Sequence, residues 1–104
     1  MATGKIETNN RQLVASGTSC WAYKSGKTIV VTVDGYWTNS AAVPIILTLP
    51  AGARPDATAR GVCAGTNSKG YCSRLLVEAS GDVKLVPRDA SAEYHYGEVV
   101  FLLP

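Results

Sequence analysis

Six consecutive residues at positions 28–33, Thr-Ile-Val-Val-Thr-Val, are all β-branched. Two heavy atoms on each Cβ restrict χ1 and crowd the preceding turn of a helix, whereas a pleated strand accommodates them. Ile29, Val31 and Val33 fall on one face; Thr28, Val30 and Thr32 fall on the other. A segment of this kind belongs in the interior of a sheet rather than at its edge. Helix-forming residues do not cluster at helical spacing anywhere else in the chain, so the rest of the molecule has to supply that sheet.

The remaining segments fit this requirement. Cys20-Trp21-Ala22-Tyr23-Lys24 alternates small and large residues and is joined to the β-branched strand by Ser25-Gly26, a tight connection. Residues 43–49, 61–64, 71–79, 83–87 and 98–103 read as further strands, with Ser80-Gly81-Asp82 turning one into the next. Leu75 and Val77 share one face of their strand, and Arg74, Leu76 and Glu78 the other. Asp34-Gly35 reads as a turn after the β-branched strand, leaving Tyr36 and Trp37 in a loop. Residues 1–18 form either a loose lead-in or a first pair of strands. The fold class is therefore all-β, an antiparallel sandwich or jelly roll of about seven to nine short strands in one domain.

Thr48-Leu49-Pro50-Ala51-Gly52-Ala53-Arg54-Pro55 interrupts the ladder. Pro50 and Pro55 each lack a backbone donor, Gly52 accepts a left-handed conformation, and Pro55 holds Arg54 extended. A rigid corner results, with Arg54 expected to bond backbone carbonyls or a nearby acid.

Charge limits the possible partners. Ten Lys and Arg against eight Asp and Glu leave a net charge of +2, scattered singly with no basic stripe. Phosphate binding requires clustered cations, so nucleic acid is not an expected partner. No stretch reaches the roughly 20 apolar residues of a membrane-spanning helix, and residues 1–10 lack the apolar run of a secretory signal. Charged residues make up only 17% of the chain, which suits a surface partly covered by neighbouring subunits. Three cysteines cannot all pair within one chain. Cys20 reads as a small buried hydrophobe, and Cys63 and Cys72 as reduced thiols, although a bridge across a hairpin would also fit. Such a chain suits synthesis in a reducing cytoplasm.

The sequence offers little for catalysis. His95 is the sole histidine, no C-x-x-C spacing occurs, and no set of residues completes a zinc site or a phosphate loop. No cofactor and no metal are expected. Saccharide binding needs aromatic faces beside planar polar groups, and those are present in segments that read as loops. They are Tyr36, Trp37 and Asn39; Arg88 and Asp89; and Glu93, Tyr94, His95 and Tyr96. Trp21, within a strand, reads as core.

The order of features, a strand ending in the Thr-Leu-Pro-x-Gly-x-Arg-Pro corner, then a strand–Gly-polar–strand hairpin and a closing apolar strand, resembles a known family. That family is the C-terminal receptor-binding domain of bacteriophage tail-tip, baseplate and tail-fibre proteins. The resemblance covers residues 19–103; the commonest form of the corner carries an aromatic where this chain has Ala53. It implies a virion protein of the tail tip, made in the host cytoplasm. Such a protein would trimerise, contact other tail proteins and bind a bacterial surface saccharide without cleaving it. By side-chain chemistry, Trp37 and His95 lead the candidates, followed by Arg88 and Asp89, with Tyr36, Tyr94 and Tyr96 beside them. A structural virion module and a small cell-wall glycan hydrolase are the alternatives.

Overall fold

A computed structural model describes residues 11–37, 45–65, 73–86 and 93–104, all as strand, turn or extended chain. The eight strands are β1 (Gln12–Gly17), β2 (Cys20–Ser25), β3 (Thr28–Trp37), β4 (Ile45–Thr48), β5 (Ala59–Gly65), β6 (Ser73–Val77), β7 (Asp82–Val86) and β8 (Glu93–Leu102). The protein is all-β, as the alternation predicts. The strands form one antiparallel sheet in the order β1-β2-β3-β8-β5-β6-β7-β4 rather than two separate layers. The sheet curls until its two edge strands nearly meet, giving a nearly closed barrel. Gly17 on β1 lies at that seam, where a Cβ would come within 3.1 Å of the Ile46 carbonyl oxygen on β4.

The β-branched strand sits where its two apolar faces require, between β2 and β8. Ile29, Val31 and Val33 are fully buried. Full burial of side chains of this size contributes roughly 1.5–3 kcal/mol each. On β2 the small residues point inward and the large ones outward. Cys20 and Ala22 are buried, while Trp21 and Tyr23 are half-buried on the outer face, where the Arg11 guanidinium lies 3.9 Å from the Tyr23 ring centre. Trp21 is therefore not core: it alternates with the inward Cys20 and Ala22 and so shares the outer face with Tyr23.

Register arranges the inward side chains in rows around the barrel. Ala22, Val31, Val99, Leu75 and Leu85 lie at one level. The next level holds Cys20, Val33, Gly97, Cys63 and Ser73, and the one beyond holds Gly35, His95 and Gly65. The interior thus changes from aliphatic to polar along its axis.

The corner closes the aliphatic end. The Ala53 N–H donates to the Pro50 carbonyl at 3.1 Å, and Gly52 has φ 93°, completing a type II turn. Arg54 Nε donates to the Leu49 carbonyl at 2.9 Å, so its partner is backbone. The Leu49 N–H in turn donates to the Gly81 carbonyl at 2.8 Å, tying the corner to the β6–β7 turn. Arg11, where the described chain enters the sheet, and Leu103, whose N–H donates to the Lys27 carbonyl at 2.7 Å, lie at this same end.

Asp34-Gly35 is not a turn. Strand β3 runs straight through it to Trp37 and pairs with β8 throughout. The glycine is there for a different reason. Ser19, at φ 60° in the β1–β2 turn, folds onto β3, its carbonyl accepts from the Asp34 N–H at 3.0 Å, and a Cβ at position 35 would lie 2.1 Å from Ser19 Cβ.

Candidate binding site

Strands β3, β5 and β7 end, and β4, β6 and β8 begin, at the polar end of the barrel. This topology brings several of the sequence candidates together. They do not lie in loops. Tyr94, His95 and Tyr96 belong to β8, and Tyr36 and Trp37 complete β3, paired with Tyr94 and Glu93 respectively. Their placement follows from the uninterrupted ten-residue pairing of β3 with β8, which the turn reading at Asp34-Gly35 would have cut short. Arg88, Asp89 and Asn39 lie outside the described residues, as does Cys72.

Alternation along β8 separates its three candidates. Tyr94 and Tyr96 point outward, 38% and 49% exposed, with ring centres 6.2 Å apart and planes tilted by 52°. The Tyr94 hydroxyl donates to the Asp34 carboxylate on the neighbouring strand. That bond, lost when the phenol ionises, pushes Tyr94 above the usual tyrosine pKa; desolvation and the Asp34 charge add to the rise. Asp34 lies directly opposite Tyr96 in the pairing, so two rings and a carboxylate share one exposed surface. Sequence reasoning missed Asp34. Continuing the period of two past Val33 places it with Thr32 on the outward face, and that was the available signal.

His95 points the other way. It is 1% exposed, and its Nδ1 shares a 2.8 Å hydrogen bond with Ser73 Oγ, itself 1% exposed. Gly35 and Gly65 are its neighbours in register on either side. A buried ring presents no face to a ligand arriving from solvent. Its place in the structure is that of an internal polar tie between β8 and β6. The Ser73–His95 pair has the atoms of a nucleophile and a base, but both are shut away from substrate.

Cys20 and Cys63 are free buried thiols on the adjoining level. Burial pushes Cys20 up to about 12, with a smaller contribution from Cys63, and pushes Cys63 up to about 11. Both are protonated and inert at neutral pH. Among the described residues no three His, Cys, Asp or Glu side chains are grouped so as to hold a metal ion.

What the exposed surface can do follows from its atoms. Tyrosine rings offer apolar faces for the C–H side of a sugar, and the Asp34 carboxylate and Tyr94 oxygen accept hydrogen bonds from hydroxyls. No protein-family model matches the chain, and no curated protein matches it either.

Proposed function

We propose that this chain is a non-catalytic receptor-binding domain of a phage or prophage tail. It takes a bacterial surface saccharide on the outer face of β8 and β3 and acts as a homotrimer. The observation that carries the reading is the exposed Tyr94–Tyr96 pair with Asp34 beside it. The order of strand, corner, hairpin and closing strand supports the tail assignment through family resemblance. Sites on the outer face of a sheet bind sugars weakly one at a time, and a trimer offsets this by engaging several at once.

The test is binding of the labelled chain to a panel of bacterial strains and to their extracted surface glycans. Tyr96→Ala and Tyr94→Ala are each expected to weaken binding about tenfold, the scale of one lost aromatic contact. Unchanged binding in both variants would remove the site. Reducing ends released from the glycan would replace the binding reading with a hydrolytic one.

A further inference from the structure

The residues around the exposed tyrosines set the charge of what can settle on them. On the outer face of β3 and β8, Asp34 is directly opposite Tyr96, and Thr32 is directly opposite Glu98. Asp34 and Glu98, both exposed, are therefore diagonal neighbours roughly 7–8 Å apart. Asp34 accepts from the Tyr94 hydroxyl, and among the described residues neither acid is ion-paired. On the β2 side stands Trp21, opposite Thr32 and so diagonal to Asp34. On the β5 side stand Ala64, opposite Tyr96, and the outward Val62, neither of them charged. The nearest described cations are Arg60 on β5, Arg74 on β6 and Lys24 on β2. By strand spacing and rise, the backbone of each is roughly 15 Å or more from that of Asp34. Charges that far apart on a surface are largely screened at physiological salt. The charge beside the rings is thus negative.

We infer that the saccharide taken here carries a positively charged nitrogen, held by the Tyr94 and Tyr96 rings and the Asp34 carboxylate. The inference rests on the saccharide reading above and names the ligand class within it. A cation within about 6 Å of an aromatic ring centre is attracted to the ring face. The two centres are 6.2 Å apart with planes tilted by 52°, so one nitrogen lies within reach of both. The chain already uses this contact elsewhere, where Arg11 stands 3.9 Å from the Tyr23 ring centre. An acidic sugar would be repelled by Asp34 and Glu98, and a neutral one would cover the Asp34 charge without neutralising it. A cationic nitrogen bonds the carboxylate and meets the rings at once. Two sources supply that chemistry: the free amino group of a hexosamine, or a quaternary ammonium substituent on the glycan.

The experiment is a heteronuclear NMR titration of the full chain with three probes: a glucosamine tetrasaccharide, its fully N-acetylated counterpart, and choline chloride. The first two differ only in whether the nitrogen is charged. The amino form is expected to bind about tenfold or more tighter, shifting the Asp34, Tyr94 and Tyr96 amides, and to weaken as salt is added. Asp34→Asn keeps an acceptor for the Tyr94 hydroxyl and is expected to bring the two affinities within about threefold of each other. Circular dichroism checks that this surface variant keeps its β signal. Choline shifting the same amides assigns the quaternary source; shifts with the amino sugar alone assign the primary amine. Equal or tighter binding of the N-acetylated form overturns the inference. So does a preference that survives Asp34→Asn, or the absence of binding by both cationic probes. Binding of extracted surface glycans that is lost in the tyrosine variants would then leave the saccharide reading standing without it.

Discussion

The two ends of this barrel are built on opposite principles. At the corner end the chain reverses through Gly26, Gly52 and Gly81, all with positive φ, and backbone groups bond one another across the turns. At the other end the single positive-φ residue among those described is Ser19, held by its packing on Gly35. There the interior holds Ser73 and His95, bonded to each other, instead of aliphatic side chains. The corner end is stabilised by conformation and apolar packing. The far end is stabilised by hydrogen bonds that tolerate polar groups, and it is there that Tyr94, Tyr96 and Asp34 reach solvent. The exposed aromatic residues are thereby separated from the corner, where positive φ and backbone bonding leave least freedom for substitution.

Substitutions can break this contrast, and the largest effect is expected at the corner. Gly81 has φ 95°, and a Cβ there would lie 2.6 Å from both Arg54 Nε and the Leu49 carbonyl oxygen. Gly81→Ala is expected to cost about 2–4 kcal/mol, lowering the thermal midpoint by 10 °C or more. A change of less than about 1 kcal/mol would mean that the corner yields more easily than its geometry implies.

A smaller effect is expected at the polar end. Ser73→Ala removes the hydroxyl bonded to His95 and is expected to cost about 1–2 kcal/mol in urea denaturation, with Ser73→Thr recovering part of it. Equal stability of Ser73→Ala and the parent would remove the hydrogen bond from the account of this end.

A further effect depends on pH and separates the two thiols from the rest. In the folded chain Cys63 and Cys20 keep their protons to about 11 and 12, whereas unfolded thiols ionise near 9.0. The unfolded state therefore binds fewer protons above that value. The thiols' contribution is intact below pH 9 and declines as pH rises through the window between 9 and about 11–12. Urea midpoints are expected to fall across this window, and to fall less in Cys63→Ala than in the parent. Identical declines in the two would place the alkaline loss elsewhere.

How much of this was legible in the amino-acid string varied along the chain. Positions 28–33 declared a central strand through β-branching alone, and the corner declared itself through its prolines and Gly52, because both signals are local. Asp34-Gly35 misled for the same reason. As a dipeptide it has the composition of a turn, but the glycine answers to Ser19, sixteen residues earlier and brought alongside by the β1–β2 hairpin. The aromatic segments at 36–37 and 94–96 were read as loops but are strand, since the β3–β8 register that pairs them is long-range. Alternation then parted Tyr94 and Tyr96 from His95. The change from aliphatic to polar along the barrel axis was hidden, because each level draws its residues from separate strands.

One feature of the corner end bears on how the molecule can be handled. The chain enters the sheet at Arg11 and leaves it at Leu103 on the side away from Tyr94 and Tyr96. Attachment to a sensor chip or a bead at Arg11 or at Leu103 therefore meets the barrel at the end opposite the aromatic residues. The aromatic surface then faces the bulk solution, away from the support.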